Sequence, residues 1–184
     1  SSRTISDIAS ELGDQSANLV IGKMLGMTDT GLFSRGYGVV NMYRTNILGA
    51  IESVAFPAFA REHRETATAP ELFRKALVYT TGISWPFFSS GVILAYPVIN
   101  ILFGDQWNVA VPLMRWLCVA ALVGTLIYQC NRFLVALGRV RTATRIEVQY
   151  QLARIGITIA AAFYGVEAVA ASQVMVYVIA TVLY

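Results

Sequence analysis

Residues 31–60, GLFSRGYGVVNMYRTNILGAIESVAFPAFA, are long enough to cross a bilayer, yet Arg44 and Glu52 lie well inside them. About 20 apolar-dominated residues suffice for a helical span. At the helical period, Ser34, Gly38, Asn41, Thr45, Gly49 and Glu52 share one side, with Tyr37 and Arg44 at its edge and leucine, valine and isoleucine filling much of the rest. A charge in hydrocarbon costs at least about 2.5 kcal/mol even on a lenient insertion scale. These groups must therefore face protein or water. The pattern predicts a helix with one wet and one greasy face, lining a pathway.

The rest of the chain has the same character. Hydrophobic residues make up 56% of it and charged residues 14%, with a mean hydropathy of +0.57. Soluble domains carry about a quarter charged residues, so the composition points to an all-α, polytopic membrane helix bundle. The net charge of +3, with no basic run interleaved with aromatics, gives no reason to expect nucleic acid. Cys118 and Cys130 fall in one predicted helix, about 18 Å apart at 1.5 Å per residue, too far to bridge each other. The chain opens SSRTIS, with neither a methionine nor a signal sequence, and stops at Tyr184 within an apolar run. Both ends read as cuts in a longer protein.

The pattern predicts about six transmembrane helices, at about 5–27, 31–60, 76–103, 109–138, 145–164 and 168–184. In the first, Asp7, Glu11, Asp14 and Asn18 form an acidic stripe, so it either lies on the membrane surface or spans with that side inward. A turn is expected at Met27–Gly31. Residues 61–75 form a polar connection containing His63, the only histidine, read as a solvated loop residue. The third span holds Trp85-Pro86 and Tyr96-Pro97, which predict a kink, serving as a hinge or as packing curvature. Gly104–Asn108 is a turn that Trp107 anchors at a membrane surface. The fourth span places Arg115, Cys118, Leu122, Thr125, Gln129 and Arg132 on one face. After a loop, GRVRTATR, the fifth carries Glu147, Gln151, Arg154 and Thr158 at i, i+4, i+7 and i+11. Gly165 and Glu167 mark the last turn. Eight basic residues (Arg3, Arg61, Arg64, Arg74, Lys75, Arg139, Arg141 and Arg145) fall on one side of this arrangement against Lys23 on the other. The positive-inside rule puts the basic loops and the N-terminus in the cytoplasm.

Together the stripes direct Arg44, Arg115, Arg132 and Arg154 toward a shared interior, with Gln129 and Gln151 beside them. Arginine holds phosphate and carboxylate through a fixed fork of donors and stays charged when buried. Such a cavity suits an anionic substrate, a pyrophosphate headgroup for example. Asp14, Glu52 and Glu147 are candidates to pair with the arginines, take up a proton or bind a coupling cation; the bland alternative is ion pairs that only stabilise the bundle. No HExxH, CxxC, GxSxG or Walker pattern occurs, so the chain is not expected to be an enzyme, nor to hold a metal or cofactor.

In order along the chain, ANLVIGKMLG, TGLFSRGYGVVNM, VAFPAFARE, ELFRKALVYTTGISWPF, ILFGDQWNVAVPLMRWL and ALGRVRTATRIEV resemble the polysaccharide-export flippases of the multidrug/oligosaccharidyl-lipid/polysaccharide exporter superfamily. The resemblance covers the chain from about Ala17 onward. It implies the second six-helix lobe of a two-lobe exporter in the inner membrane, partnered by an absent N-terminal lobe. The implied cargo is a lipid-linked oligosaccharide on polyprenyl pyrophosphate, flipped by alternating access. It also implies a path role for Arg35, Tyr37 and Asn41, which match an arginine–tyrosine–asparagine run of the family. Many relatives open the ANLVIGKMLG segment with an aspartate where this chain has Ala17; Asp14 is one turn earlier.

Two rival readings remain: a cation-coupled multidrug exporter on the same scaffold, disfavoured by the excess of arginine, and a membrane scaffold that transports nothing. A cysteine placed at Asn41 or Thr45 separates the last from the others. It reacts with a water-soluble thiol reagent if the stripe is hydrated, and stays unlabelled if the stripe is a sealed helix contact.

Overall fold

The computed structural model describes residues 17–49, 69–136 and 140–183, among which every regular element is helical. Helix α1 covers residues 17–24. Helix α2, Met27–Met42, runs on into a π-helical segment, Tyr43–Leu48. Then follow α3 (Ala69–Ile93), α4 (Ala95–Phe103), a 3₁₀ segment (Asp105–Ala110), α5 (Val111–Ala136), α6 (Val140–Ala162) and α7 (Val166–Leu183). Asp14, Glu52 and His63 lie outside the described residues.

The bundle is assembled around α5, which packs against α2, α3 and α7 and more briefly against α6; α6 and α7 pack together in turn. Its own sequence explains the central position. Leu113, Met114, Leu117, Cys118, Ala120 and Ile127 are all buried, and they point to more than one side of the helix. A helix apolar on several sides is one surrounded by others. By contrast α2 buries one line, Phe33, Gly36 and Val39, spaced three apart. The backbone of α5 passes so close to this line that a Cβ on Gly36 would sit 3.1 Å from the Met114 amide nitrogen. Small residues permit such approach between membrane helices.

Among the described residues, the helical run Asp105–Asn131 is long and apolar enough to cross a membrane by itself. The segments Phe73–Ile93 and Ala95–Phe103 qualify only as a pair bent by 80°, and Val166–Thr181 is a shorter apolar helix. The bend explains where the proline kink falls. Pro97 has no N–H for the Ile93 carbonyl and its ring would strike that group, so the helix breaks at Leu94 (φ −90°, ψ 14°). Pro86, in contrast, is accommodated within α3.

Two boundaries differ from the sequence reading. Helix α2 begins at Met27, not after Gly31, because the break is at Gly26, whose φ of 98° a side chain would resist. The expected loop GRVRTATR is largely helical, since α6 starts at Val140. Exposed large apolar residues, among them Ile93, Ile101, Leu152, Phe163 and Met175, are spread over the outside of the bundle.

Gly36→Ala should destabilise the protein by about 1–3 kcal/mol through overpacking. Gly38→Ala, whose Cβ would meet nothing within 4 Å, should be neutral or slightly stabilising. Thermal unfolding of the two variants in detergent checks the contrast.

Candidate functional site

The site is set up by the change of helix type after Met42. Tyr43 and Leu48 are both buried although five residues apart. In an α-helix they would point about 140° from each other, whereas the wider π turn, hydrogen-bonded i→i+5, brings them nearer to one side. Thr45 Oγ1 donates to the Asn41 carbonyl at 2.9 Å and Asn46 Nδ2 to that of Met42 at 3.1 Å, at the junction between the helix types. Tyr43 is clamped from α3: its hydroxyl and Ser84 Oγ are 2.6 Å apart, and its ring lies 4.5 Å from Phe87 and 4.7 Å from Phe88.

Between this segment and helices α3, α5, α6 and α7 lies a cavity of about 370 Å³. Five tyrosines wall it: Tyr37, Tyr43, Tyr128, Tyr150 and Tyr177. Arg44 reaches it from the π segment, with its guanidinium carbon 6.0 Å from the centre of the Tyr128 ring. Helix α6 contributes Glu147, Gln151 and Arg154, and α5 contributes Thr125 and Asn131. Both Glu147 oxygens accept amide hydrogen bonds, Oε2 from Asn131 Nδ2 at 2.9 Å and Oε1 from Gln151 Nε2 at 2.8 Å. Gln151, only 8% exposed, keeps its own Oε1 buried with no hydrogen-bond partner among the described residues. A buried acceptor of this kind costs about 1–3 kcal/mol until a donor reaches it.

Of the residues singled out in the sequence, Arg44, Glu147, Gln151 and Arg154 thus meet at one cavity. Others stand elsewhere. Gln129 turns to α3, where its Nε2 donates to Thr80 Oγ1 at 2.6 Å. Arg115 is exposed, and Arg132 lies on α5 with its side chain outside the described set. Arg35 does not line the cavity: its guanidinium carbon sits 5.1 Å from the centroids of both Phe103 and Trp107, tying α2 to the LFGDQW segment. Trp107, half-buried, is therefore held against Arg35. Asn41 is exposed beside Ser34, Thr45 and Gly49, so the polar stripe of α2 faces out of this bundle, because the apolar line through Phe33 and Val39 takes the side toward α5.

The sequence reading passed over most of the tyrosines and Asn131. A signal existed: Tyr128 precedes Asn131 by three positions, Tyr150 precedes Arg154 by four and Tyr177 follows Gln173 by four, all same-face spacings.

A helical bundle with a charged, aromatic-walled cavity, large apolar side chains on its outside and a helical run long enough to cross a bilayer has the form of a membrane helix bundle. The family described as "Polysaccharide biosynthesis protein" matches residues 1–112, and the chain belongs to it. It is similar to the teichuronic acid biosynthesis protein TuaB of Bacillus subtilis (26% identical, over 73% of this chain and 28% of the relative). Similar too are the lipopolysaccharide biosynthesis protein WzxC of Escherichia coli (26%, over 79% and 30%) and the succinoglycan biosynthesis transport protein ExoT of Rhizobium meliloti (28%, over 70% and 26%). The chain spans less than a third of the length of these curated relatives. None of the three names describes a catalysed reaction. No solved structure matches the chain.

The clamp on the π segment is open to measurement. Tyr43→Phe should cost about 1 kcal/mol, and the double variant Tyr43→Phe/Ser84→Ala should cost less than the sum of the two single losses. Unfolding midpoints of the three proteins give the coupling.

Proposed function

We propose that this chain is one lobe of a flippase. The full protein moves a polyprenyl-pyrophosphate-linked oligosaccharide across the cytoplasmic membrane for surface polysaccharide synthesis. The observation that carries the reading is the placement of Arg44 and Arg154 on one cavity. A pyrophosphate that leaves the aqueous headgroup region needs charge and directed N–H donors to replace its water, and two guanidinium groups supply both. The ring of tyrosines offers apolar faces with polar tips, suited to sugar rings that are apolar on their C–H faces and polar at their hydroxyls. The polyprenyl tail stays in lipid, alongside the exposed apolar residues of the bundle.

The polar stripe through Ser34, Asn41 and Thr45, exposed on a bundle that also exposes many large apolar side chains, supports a second lobe across a hydrated gap. Alternating access between the lobes then turns the gap from one leaflet to the other. The basic loops lie in the cytoplasm and the short turns outside. The role is transport and not catalysis, in line with the name of the succinoglycan relative, a transport protein. Glu147, held by two amide donors at the cavity, is the described acid best placed to balance the arginines or to carry a coupling proton or cation.

The tyrosine wall together with Glu147 also fits an amphipathic cation, the cargo of a drug exporter. One experiment addresses both cargoes. In the full-length parent, Arg44→Ala and Arg154→Gln should each reduce polysaccharide export about tenfold or more, the effect of losing a charge-assisted contact, with unchanged amounts of protein in the membrane. Wild-type export in both variants removes the cavity from the route, and dye efflux by the parent in place of polysaccharide export assigns it to cations.

A further inference from the structure

Behind the cavity wall, α6 and α7 are joined by a chain of three polar side chains. Arg154 is 4% exposed, Gln173 2% and Thr158 0%. Arg154 Nε donates to Gln173 Oε1 at 3.2 Å, and Gln173 Nε2 donates to Thr158 Oγ1 at 3.3 Å and to the Val169 carbonyl at 3.4 Å. The amide can sit only one way round. Reversed, it would set its NH₂ against the Nε–H of Arg154 and its oxygen against the Val169 carbonyl. Its carbonyl end is therefore fixed on the arginine, and the arginine plane is fixed by it. Thr158 stands one turn beyond Arg154 on the same helix, so α6 both carries the guanidinium and orients the amide that holds it. Arg154 lines the large cavity; Gln173 does not, bordering only a small neighbouring space of about 20 Å³.

We propose that Gln173 is a positioning residue: it holds the guanidinium of Arg154 by its Nε so that the group presents a fixed face to an anionic ligand in the cavity, without touching that ligand. This rests on the reading of Arg154 as an anion-holding group. A flexible arginine loses affinity to the entropy of ordering it at each binding event, and a pre-set one avoids that loss.

The test is a double-mutant cycle on the purified full-length parent, with inorganic pyrophosphate as the probe and calorimetry as the readout. Arg154→Met should weaken binding about tenfold or more, and Gln173→Leu about fivefold, the scale of one hydrogen bond. The double variant Arg154→Met/Gln173→Leu should bind no more weakly than Arg154→Met alone, because Gln173 acts only through the arginine. A residue that merely supports the fold would give losses that multiply. Thr158→Val, which removes the acceptor of the amide and keeps the shape, should weaken binding about twofold, and it decides the matter if Gln173→Leu does not fold. Wild-type affinity in Gln173→Leu or, failing that variant, in Thr158→Val, or multiplying losses in the double, overturns the proposal while leaving the role of Arg154 intact. Wild-type affinity in Arg154→Met overturns both.

Discussion

Desolvation governs this structure. A polar atom carried into an apolar bundle keeps its cost unless another polar atom meets it there. The helices are arranged so that most do meet: Tyr43 with Ser84, Gln129 with Thr80, and Arg154 with Gln173 and through it Thr158. Each of these contacts crosses from one helix to another, so satisfying polar groups and fastening the bundle are the same event. Gln151 Oε1 is an exception, together with Asn18 Oδ1 and Asn108 Oδ1: each is buried with no partner among the described residues. Those three acceptors keep their desolvation cost, set against the paired groups that fasten the helices.

The α2–π unit serves two surfaces at once. Its apolar line and Tyr43 are spent on α3 and α5, Arg44 enters the cavity, and Ser34, Asn41 and Thr45 look outward. A regular amphipathic helix has two faces. The switch of helix type gives this one a third, which is how a single helical unit can take part in the core, the cavity wall and the exposed surface.

Much of this was legible in the residue pattern, and the parts that were not have identifiable causes. The all-helical class follows from composition and period, and the Glu147, Gln151, Arg154 and Thr158 stripe lies on the inner side of α6 as its spacing suggested. The stripe of α2 is expected to face protein or water along a pathway; in this bundle Ser34, Asn41, Thr45 and Gly49 are exposed, while Glu52 lies outside the described residues. What the spacing did not show is that close packing through Gly36 gives the side toward α5 to Phe33 and Val39. Arg35 and Arg115 illustrate a second limit: an arginine is equally at home over aromatic rings or at an exposed position, and only neighbours distant in sequence, such as Phe103 and Trp107, decide. The tyrosines of the cavity went unnoticed because a hydrophobicity pattern counts them as core, although each carries a polar tip.

The extra residue accommodated in the π turn also decides which changes in length the element can bear. Removing one position between Tyr43 and Leu48 would leave them four apart, about 40° from each other in a regular α-helix, so the coil could tighten and still keep both on the buried side. Adding one would put them six apart, about 120° from each other in a regular coil, and Leu48 would leave its buried seat. The segment between Met42 and Gly49 is thus built to bear shortening by a residue and not lengthening.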